Sequence, residues 1–437
     1  MYIDSSLVIP KQGNMRLIND LIKEYTITQF DDEGKPYIVE FFKYDDSNYY
    51  FPRYSYPCNE RVKYKYDNIN FKTHIIPRNN EQQRAIDYMI NEESCLIKCI
   101  PGFGKTVVTI AALSKIGLKT LIVADQLSLL EQWTERFLQH SDINEDDIVR
   151  LTDKFNFDGK IILTTVQFLY SKVKRVENIN DIMKESGIGV VVFDEVHTII
   201  GPEKFTDICQ VIYAKKLIGL SATPWKNDIH KKVITGWLSD KIFIQSRYDI
   251  TPLVIPIRFK SKISKRKQFY FINKKNGDVI RTRYYRSLLK NTGYIDMVSN
   301  IIYRLYIKER NILALSYWNR LSEEIRDRLI NVYKINENDI SFFIGGCTIK
   351  ELEKRIILSN YQMCYKGLDK PILDTLLFLT YVQSPTYIEQ SVGRILRFHK
   401  DKNEPYVIEF IDESFNTLID KWNVRKSMYE ELGFKIK

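Results

Sequence analysis

Cys99 to Thr106 reads CIPGFGKT, between the apolar run CLIKCI and the helix-forming VVTIAALSKI. Strand, tight loop and helix in that order can bind a phosphate. Gly102 and Gly104 let the backbone around Phe103 turn its N–H groups inward, and a helix starting near Lys105 presents its positive end. Lys105 would reach the outer phosphates of a nucleotide, and the Thr106 hydroxyl would hold Mg²⁺. Cys99 stands where the usual GxxxxGK[ST] pattern has its first glycine. A chance glycine-rich turn would explain this octapeptide alone, so the rest of the chain decides.

A second cluster lies about ninety residues on, in GVVVFDEVHTII. Val190 to Phe193 predict a fully buried strand, with Asp194 and Glu195 at its C-terminal end, where α/β sheets place their chemistry. Asp194 suits Mg²⁺ and Glu195, one residue further, suits orienting a water for attack. A third cluster, EQSVGRILRFHK, carries Gln390, Arg394 and Arg397 at spacings that predict one helix face for all three. Two arginines so placed can neutralise charge developing on a transferred phosphate, an effect worth about 10³ to 10⁵ in rate.

The elements that must position these groups follow from composition and pattern. At 437 residues the chain is long enough for roughly three domains, each with its own core. Six cysteines without a CxxC pair and five scattered histidines argue against structural zinc and a disulfide framework. Neither a signal peptide nor a membrane span of about 18 apolar residues is visible, so a soluble cytoplasmic protein is expected, in the host cytoplasm if phage-encoded. The net charge of +10 suits a polyanionic partner.

Residues 1–76 hold no nucleotide motif. An amphipathic stretch from Asn14 to Tyr25 and the run YIVEFFKYDDSNYYFPRYSY, with DDSN as a hairpin turn, predict a small α+β module whose aromatics mostly form its core. Pro77 marks a boundary. A first α/β unit spans 77–245: KTLIVADQLSLLEQWTERF predicts a buried strand and a helix with Leu127, Leu130, Trp133 and Phe137 on its apolar face. KIILTTVQFL predicts another strand, whose Thr165 hydroxyl suits a phosphate-backbone contact. A second α/β unit spans 246–437. Its segment 258–290 contains twelve Lys or Arg and one acidic residue, Asp278. Within it, QFYFINKKNGDVIRTRYY alternates around Asn276-Gly277 and predicts a two-residue β-hairpin. Lys265, Arg266, Lys267, Lys274, Lys275, Arg281 and Arg283 would let that hairpin engage nucleic acid or wedge a duplex junction.

Together the motifs, in order from residue 78 to about 400, resemble those of superfamily 2 helicases, and DEVH with QSVGRILRFHK resembles phage branch-migration helicases of the UvsW kind, with XPB-like and RecG-like enzymes more distant. The resemblance implies two tandem RecA-like lobes, parallel sheets with flanking helices, with ATP and Mg²⁺ in the cleft between them. It further implies that Gln82 reads adenine, that Gly367 and Asp369 form the GxD element, that Gln126 contacts the tracking strand, and that His197, Ser221, Ala222 and Thr223 couple nucleotide state to strand binding. The expected activity is ATP-dependent translocation on DNA, unwinding or branch-migrating forks and Holliday-type junctions. The expected partner is DNA, duplex, branched or single-stranded, with no membrane role and a monomer left open. An RNA helicase, the motor of a restriction or packaging complex, and a catalytically weak nucleic-acid clamp are the alternatives.

Overall fold

The computed structural model describes residues 1–30, 35–152, 155–200, 206–225, 227–246, 248, 250–261, 263, 268–273, 277–343, 353–368, 370–382, 384–397 and 399–437. The chain divides into two compact units, Met1–Cys99 with Gly104–Gln245, and Ser246–Lys437 with Ile100–Phe103.

The first unit begins with a small antiparallel module. Strands β1 (Tyr2–Ile3), β2 (Leu7–Pro10), β5 (Lys43–Tyr44) and β6 (Asn48–Phe51) form one sheet in the order β1-β2-β6-β5, and β3 (Thr26–Phe30) pairs with β4 (Pro36–Glu40). The β5–β6 turn is the DDSN hairpin: Asp45 Oδ1 accepts from the N–H groups of Ser47 and Asn48, each at 2.7 Å. Asn14 caps the helix Met15–Tyr25 by accepting from Leu17 N, a contact worth about 1 kcal/mol. Phe41, Phe42 and Phe51 are buried, while Tyr44 stays exposed. The module is fastened to the following sheet by Arg53, a buried guanidinium that donates to the Ala214 carbonyl at 3.0 Å. Next to it, the Tyr54 N–H donates to the Gly236 carbonyl at 2.7 Å.

Seven parallel strands follow: β7 (Ser94–Cys99), β8 (Thr120–Ala124), β9 (Ile148–Arg150), β10 (Ile161–Thr165), β11 (Val190–Asp194), β12 (Lys216–Ser221) and β13 (Ile242–Gln245), in the order β13-β7-β12-β11-β8-β10-β9. Every residue of β8, β11 and β12 is buried. Such continuously buried, largely apolar strands are the signature of a sheet covered by helices on both faces. One expectation fails locally: Leu130, Trp133 and Phe137 of the helix Leu127–His140 are buried, but Leu127, its first residue, is 64% exposed.

The second unit repeats the plan with β14 (Leu253–Phe259), β15 (Ile312–Ser316), β16 (Ile340–Phe343), β17 (Ile356–Asn360), β18 (Thr375–Phe378), β19 (Tyr406–Asp412) and β20 (Lys435–Ile436), ordered β16-β17-β15-β18-β19-β14-β20 and parallel throughout. A buried cluster braces it: Arg425 meets both oxygens of Glu409 at 3.0 Å, and Tyr429 donates to the same carboxylate at 2.8 Å.

The basic segment departs from the predicted hairpin. Among the described residues its two arms meet at one antiparallel bridge, Ile272 with Val279. Phe269–Phe271 form a single 3₁₀ turn, and Arg281–Leu289 form a helix. The helical spacing of Tyr284, Tyr285 and Leu288, all buried, outweighs the local alternation. Gly277 adopts φ +71°, the left-handed conformation the turn requires.

Candidate nucleotide site and nucleic-acid groove

The phosphate loop leaves β7 at its C-terminal end and enters the helix Lys105–Ile116. Gly104 caps that helix at φ +92° with no side-chain hydrogen bond to its first turn, so the turn's N–H groups stay available to an anion. Gly102 is also left-handed, at φ +85°. Cys99, the departure from the pattern, ends the strand in extended backbone where a side chain is tolerated. Its thiol is buried, which pushes it up to about 12, and its carbonyl accepts from Lys105 Nζ at 3.3 Å.

Gln82 sits beside this loop. Its Oε1 accepts from Arg78 N at 2.8 Å, and a Cβ built on Gly104 would lie 3.1 Å from its Nε2. Gly104 therefore answers both a backbone and a space requirement.

Two strands away, β11 delivers Asp194 and Glu195. Asp194 is buried; Oδ2 accepts from Trp133 Nε1 at 2.8 Å and Oδ1 from Glu195 N at 3.1 Å. Burial first, then the Glu195 charge, pushes its carboxyl up to about 6, against the lowering pull of Trp133 and Lys105. Glu195 turns out of the strand at φ 52°, ψ 56°, a left-handed backbone that costs a non-glycine residue roughly 1–2 kcal/mol. From there Glu195 Oε2 accepts from Ser221 Oγ at 3.1 Å, Ser221 Oγ lies 2.9 Å from His197 Nδ1, and Thr223 N donates to the same hydroxyl at 3.1 Å. Because β11 and β12 are adjacent, DEVH and Ser221-Ala222-Thr223 form one network.

These groups fit a magnesium nucleotide. A desolvated carboxylate beside a second carboxylate is relieved by a cation, and hard oxygens from Asp194 and the Thr106 hydroxyl are the donors Mg²⁺ prefers. Among the described residues no cluster of three or more His, Cys, Asp or Glu could hold a metal alone. A phosphate-bridged ion needs no such cluster.

Thr165 and Gln126 end up at the C-terminal ends of β10 and β8. The Thr165 hydroxyl caps the following helix by accepting from Phe168 N at 3.2 Å, and Gln126 Nε2 donates to Asp125 Oδ2 at 3.3 Å. In the second unit, Gln390 and Arg394 lie on the helix Pro385–Ile395, and the buried Gln390 Nε2 has no partner among the described residues. Arg397 falls beyond the helix, contrary to the single-face expectation. Leu396 N folds back to the Gly393 carbonyl, and Lys402 Nζ takes the Arg397 carbonyl at 2.7 Å, ending the ladder. Gly367 closes the helix Tyr361–Gly367. Asp369, Lys265, Arg266, Lys267, Lys274 and Lys275 lie outside the described residues.

Two features were not foreseen. One is the Trp133 bond to Asp194; the sequence showed Trp133 only as part of an apolar face. The other is a groove of about 780 Å³ in the second unit, lined among others by Arg286, Lys290, Tyr317, Trp318, Arg320 and Asn360, with no carboxylate among its described lining residues. Arg286 lies over the Trp318 ring at 5.9 Å and Arg281 over Tyr317 at 5.7 Å. Ser316 pins the turn through Trp318 N at 3.0 Å. The signal available was YWNR directly after the buried strand NILALS. Aromatic faces among cations, free of acids, have the chemistry that suits a nucleic-acid strand.

The fold and the loop define a nucleoside triphosphatase with two RecA-like lobes. Comparisons place it more narrowly. The family described as "Type III restriction enzyme, res subunit" matches residues 75–226. A putative ATP-dependent RNA helicase of Acanthamoeba polyphaga mimivirus is 25% identical over 99% of this chain and 83% of its own length. A probable helicase of Escherichia phage T5 is 24% identical over 81% of this chain and 76% of its own. In fold, the Hef helicase domain of Pyrococcus furiosus superposes with a TM-score of 0.51 at 17% identity, covering 79% of this chain and 97% of that one. The chain is an ATP-hydrolysing helicase-type enzyme that resembles the superfamily 2 helicases, with viral and phage helicases among its relatives. No helix among the described residues is long and apolar enough to cross a membrane.

Proposed function

We propose that this enzyme is a DNA motor that couples ATP hydrolysis to movement along one strand, unwinding or branch-migrating forked and Holliday-type DNA. The observation that carries the coupling is the Ser221 hydroxyl, which touches both Glu195 and His197. Ser221 opens the segment Ser221-Ala222-Thr223, so a change at Glu195 on hydrolysis is felt there directly.

Gln82 holds the base, and the amides around Phe103 with Lys105 hold the phosphates. Thr106 and Asp194 would hold Mg²⁺, which when bound neutralises phosphate charge and orients the terminal phosphoryl group. Trp133 and the Glu195 N–H orient the Asp194 carboxylate, and Glu195 positions the attacking water. Gln390, Arg394 and Arg397 are the groups we assign to charge stabilisation in the transition state. The acid-free groove around Trp318 supports a strand track, and it favours neither sugar.

The test is ATP hydrolysis with no nucleic acid, single-stranded DNA, duplex DNA, a four-way junction or RNA at equal nucleotide concentration and low salt. Stimulation greatest with the junction is expected. Stimulation by RNA alone would replace DNA with RNA as the track, in line with the name of the mimivirus relative. The family match to a restriction-enzyme subunit covers residues 75–226 alone.

A further inference from the structure

Arg397 stands two residues past the end of the helix Pro385–Ile395, so contacts outside the helical ladder decide where its backbone lies. The chain between that helix and β19 is held at two points. Close to β19, Arg310, a buried guanidinium, donates to the Glu404 carbonyl at 2.8 Å and lies over the Tyr406 ring at 3.5 Å. Behind it, the fully buried Asp374 meets Arg310 at 3.4 Å with one oxygen and accepts from Asn403 Nδ2 at 3.1 Å with the other. Close to the helix stands Lys402. Its Nζ donates to the Arg397 carbonyl at 2.7 Å and to the Pro371 carbonyl at 2.9 Å. Pro371 lies in the turn ahead of β18 that Leu373 N closes on the Lys370 carbonyl at 3.2 Å.

An ammonium in that place is costly. Burial draws Lys402 down to about 8, with Asp374 pulling the other way and Arg397 adding to the fall. Closing a loop on two carbonyls calls for no charge. Holding a backbone rigidly against a fixed base does call for strong donors, and hydrogen bonds from a charged group are about twice as strong as neutral ones. Residues 402 to 406 are thus anchored on the start of β18, and Lys402 extends that anchor to Arg397.

We propose that Lys402 is a positioning residue for ATP hydrolysis: it fixes the backbone of Arg397 against the Pro371 turn, so that the fold and not the nucleotide aims the guanidinium. The inference rests on the assignment of Arg397 to transition-state stabilisation above. Misplacing such a group by about 1 Å can cost about 10²-fold in rate. Because Lys402 acts through Arg397, its loss has no further effect once the Arg397 side chain is gone.

The experiment measures kcat and KM for labelled ATP, with the nucleic acid that stimulates the full-length wild type most, for wild type, K402M, K402R, R397A and K402M/R397A, with a melting curve for each. K402M keeps the length of the stem and removes the donors. It should lower kcat about 10²-fold at unchanged KM, the pattern of an interaction that acts in the transition state. K402R keeps a charged donor and should recover most of the loss, and K402M/R397A should turn over at the rate of R397A. K402M at the wild-type rate, K402R as slow as K402M, or a double variant slower than R397A by the factor seen for K402M alone overturns the proposal and leaves Arg397 in place. R397A at the wild-type rate overturns the Arg397 assignment and this inference together.

Should the melting curve show K402M unfolded, the pH profiles of wild type and K402R decide. Asp374 and Arg397 are the charges that act on Lys402. Arg310 stands behind Asp374, and His399, Lys400, Asp401 and Glu404 share its stretch of chain. Lys370, beside Pro371, donates instead to the Lys354 carbonyl at 2.5 Å and is also drawn down to about 8 by burial. Wild-type turnover should fall as pH rises through about 8, where the Lys402 ammonium is lost, and K402R, whose charge persists, should keep its turnover there. No fall in the wild type, or an equal fall in both, which would assign it to another group such as Lys370, overturns the proposal.

Discussion

The two seven-stranded sheets share a plan and differ in what stands at their strand ends. In the first, β7, β11 and β12 end in the phosphate loop, in Asp194 with Glu195, and in Ser221, and the Asp194 carboxylate is desolvated there despite the cost. In the second, β15 and β17 open onto Tyr317, Trp318 and Asn360, and the charged groups around them are cations. A parallel sheet fixes where chemistry happens, because all its strands end on the same side. The residue types at those ends decide what chemistry it is. On the function proposed above, the first unit holds a cation and a nucleotide and the second holds anionic phosphate.

That contrast breaks most sharply at the single charges we assign to hydrolysis in each unit. Arg397→Ala and Arg394→Ala should each lower ATP turnover by about 10³ to 10⁵ while leaving the circular-dichroism spectrum and melting curve near wild type. Lys105→Ala should abolish turnover in the same way from the first unit. Full turnover by any of the three would remove that residue from the machinery.

The buried Glu409–Arg425 pair tests whether the second unit is as independent as its own core suggests. Arg425→Met strands a desolvated carboxylate and should cost about 3–5 kcal/mol, a fall of roughly 6–20 °C in melting temperature for a unit of this size. Pairing it with Glu409→Leu should recover most of the loss, because the double variant buries no lone charge. A single variant melting like the wild type would mean the ion pair is not needed.

A subtler test falls on Trp133. Phe at this position keeps most of the ring and removes the N–H that Asp194 accepts. Hydrogen bonds that orient a metal-ligating carboxylate typically change metal affinity 10- to 100-fold. Trp133→Phe should therefore raise the Mg²⁺ concentration for half-maximal turnover by that factor, with tertiary structure retained. An unchanged Mg²⁺ requirement would reduce the indole to packing.

How much of this was legible depends on whether the signal is local. The phosphate loop, the DEVH strand and the Ser221 segment were readable because each is a contiguous run whose neighbours declare strand, turn and helix. The Glu195–Ser221–His197 geometry was only implied, since it depends on β11 and β12 being adjacent, which spacing alone does not state. Trp133 was hidden for the same reason: an indole on an apolar helix face shows nothing of what its nitrogen meets. The basic segment misled in a different way. Alternation around Asn276-Gly277 announced strands on both sides, but Tyr284, Tyr285 and Leu288 had a core to fill at helical spacing, and burial outweighed local pattern. Arg397 was placed on the helix by spacing, yet its carbonyl is satisfied by Lys402, five residues further on, and the helix stops short.

The smallest effect expected returns to the contrast between the sheets, in the salt dependence of strand binding. A cation on a single strand releases counterions and contributes about 0.7 to the slope of log affinity against log salt. Arg286→Ala and Arg320→Ala, on opposite sides of Trp318 in the chain and both lining the groove, should each flatten that slope by about this amount, and together by about twice it. Lys174→Ala, an exposed cation of the first unit paired with Asp207 at 2.5 Å, should leave the slope as it was, since its charge is already met. A slope that fell equally for all three would mean that net charge alone draws the strand. A slope that fell only for the groove residues would locate the track on the second unit, where the groove's described lining carries no acids to repel it.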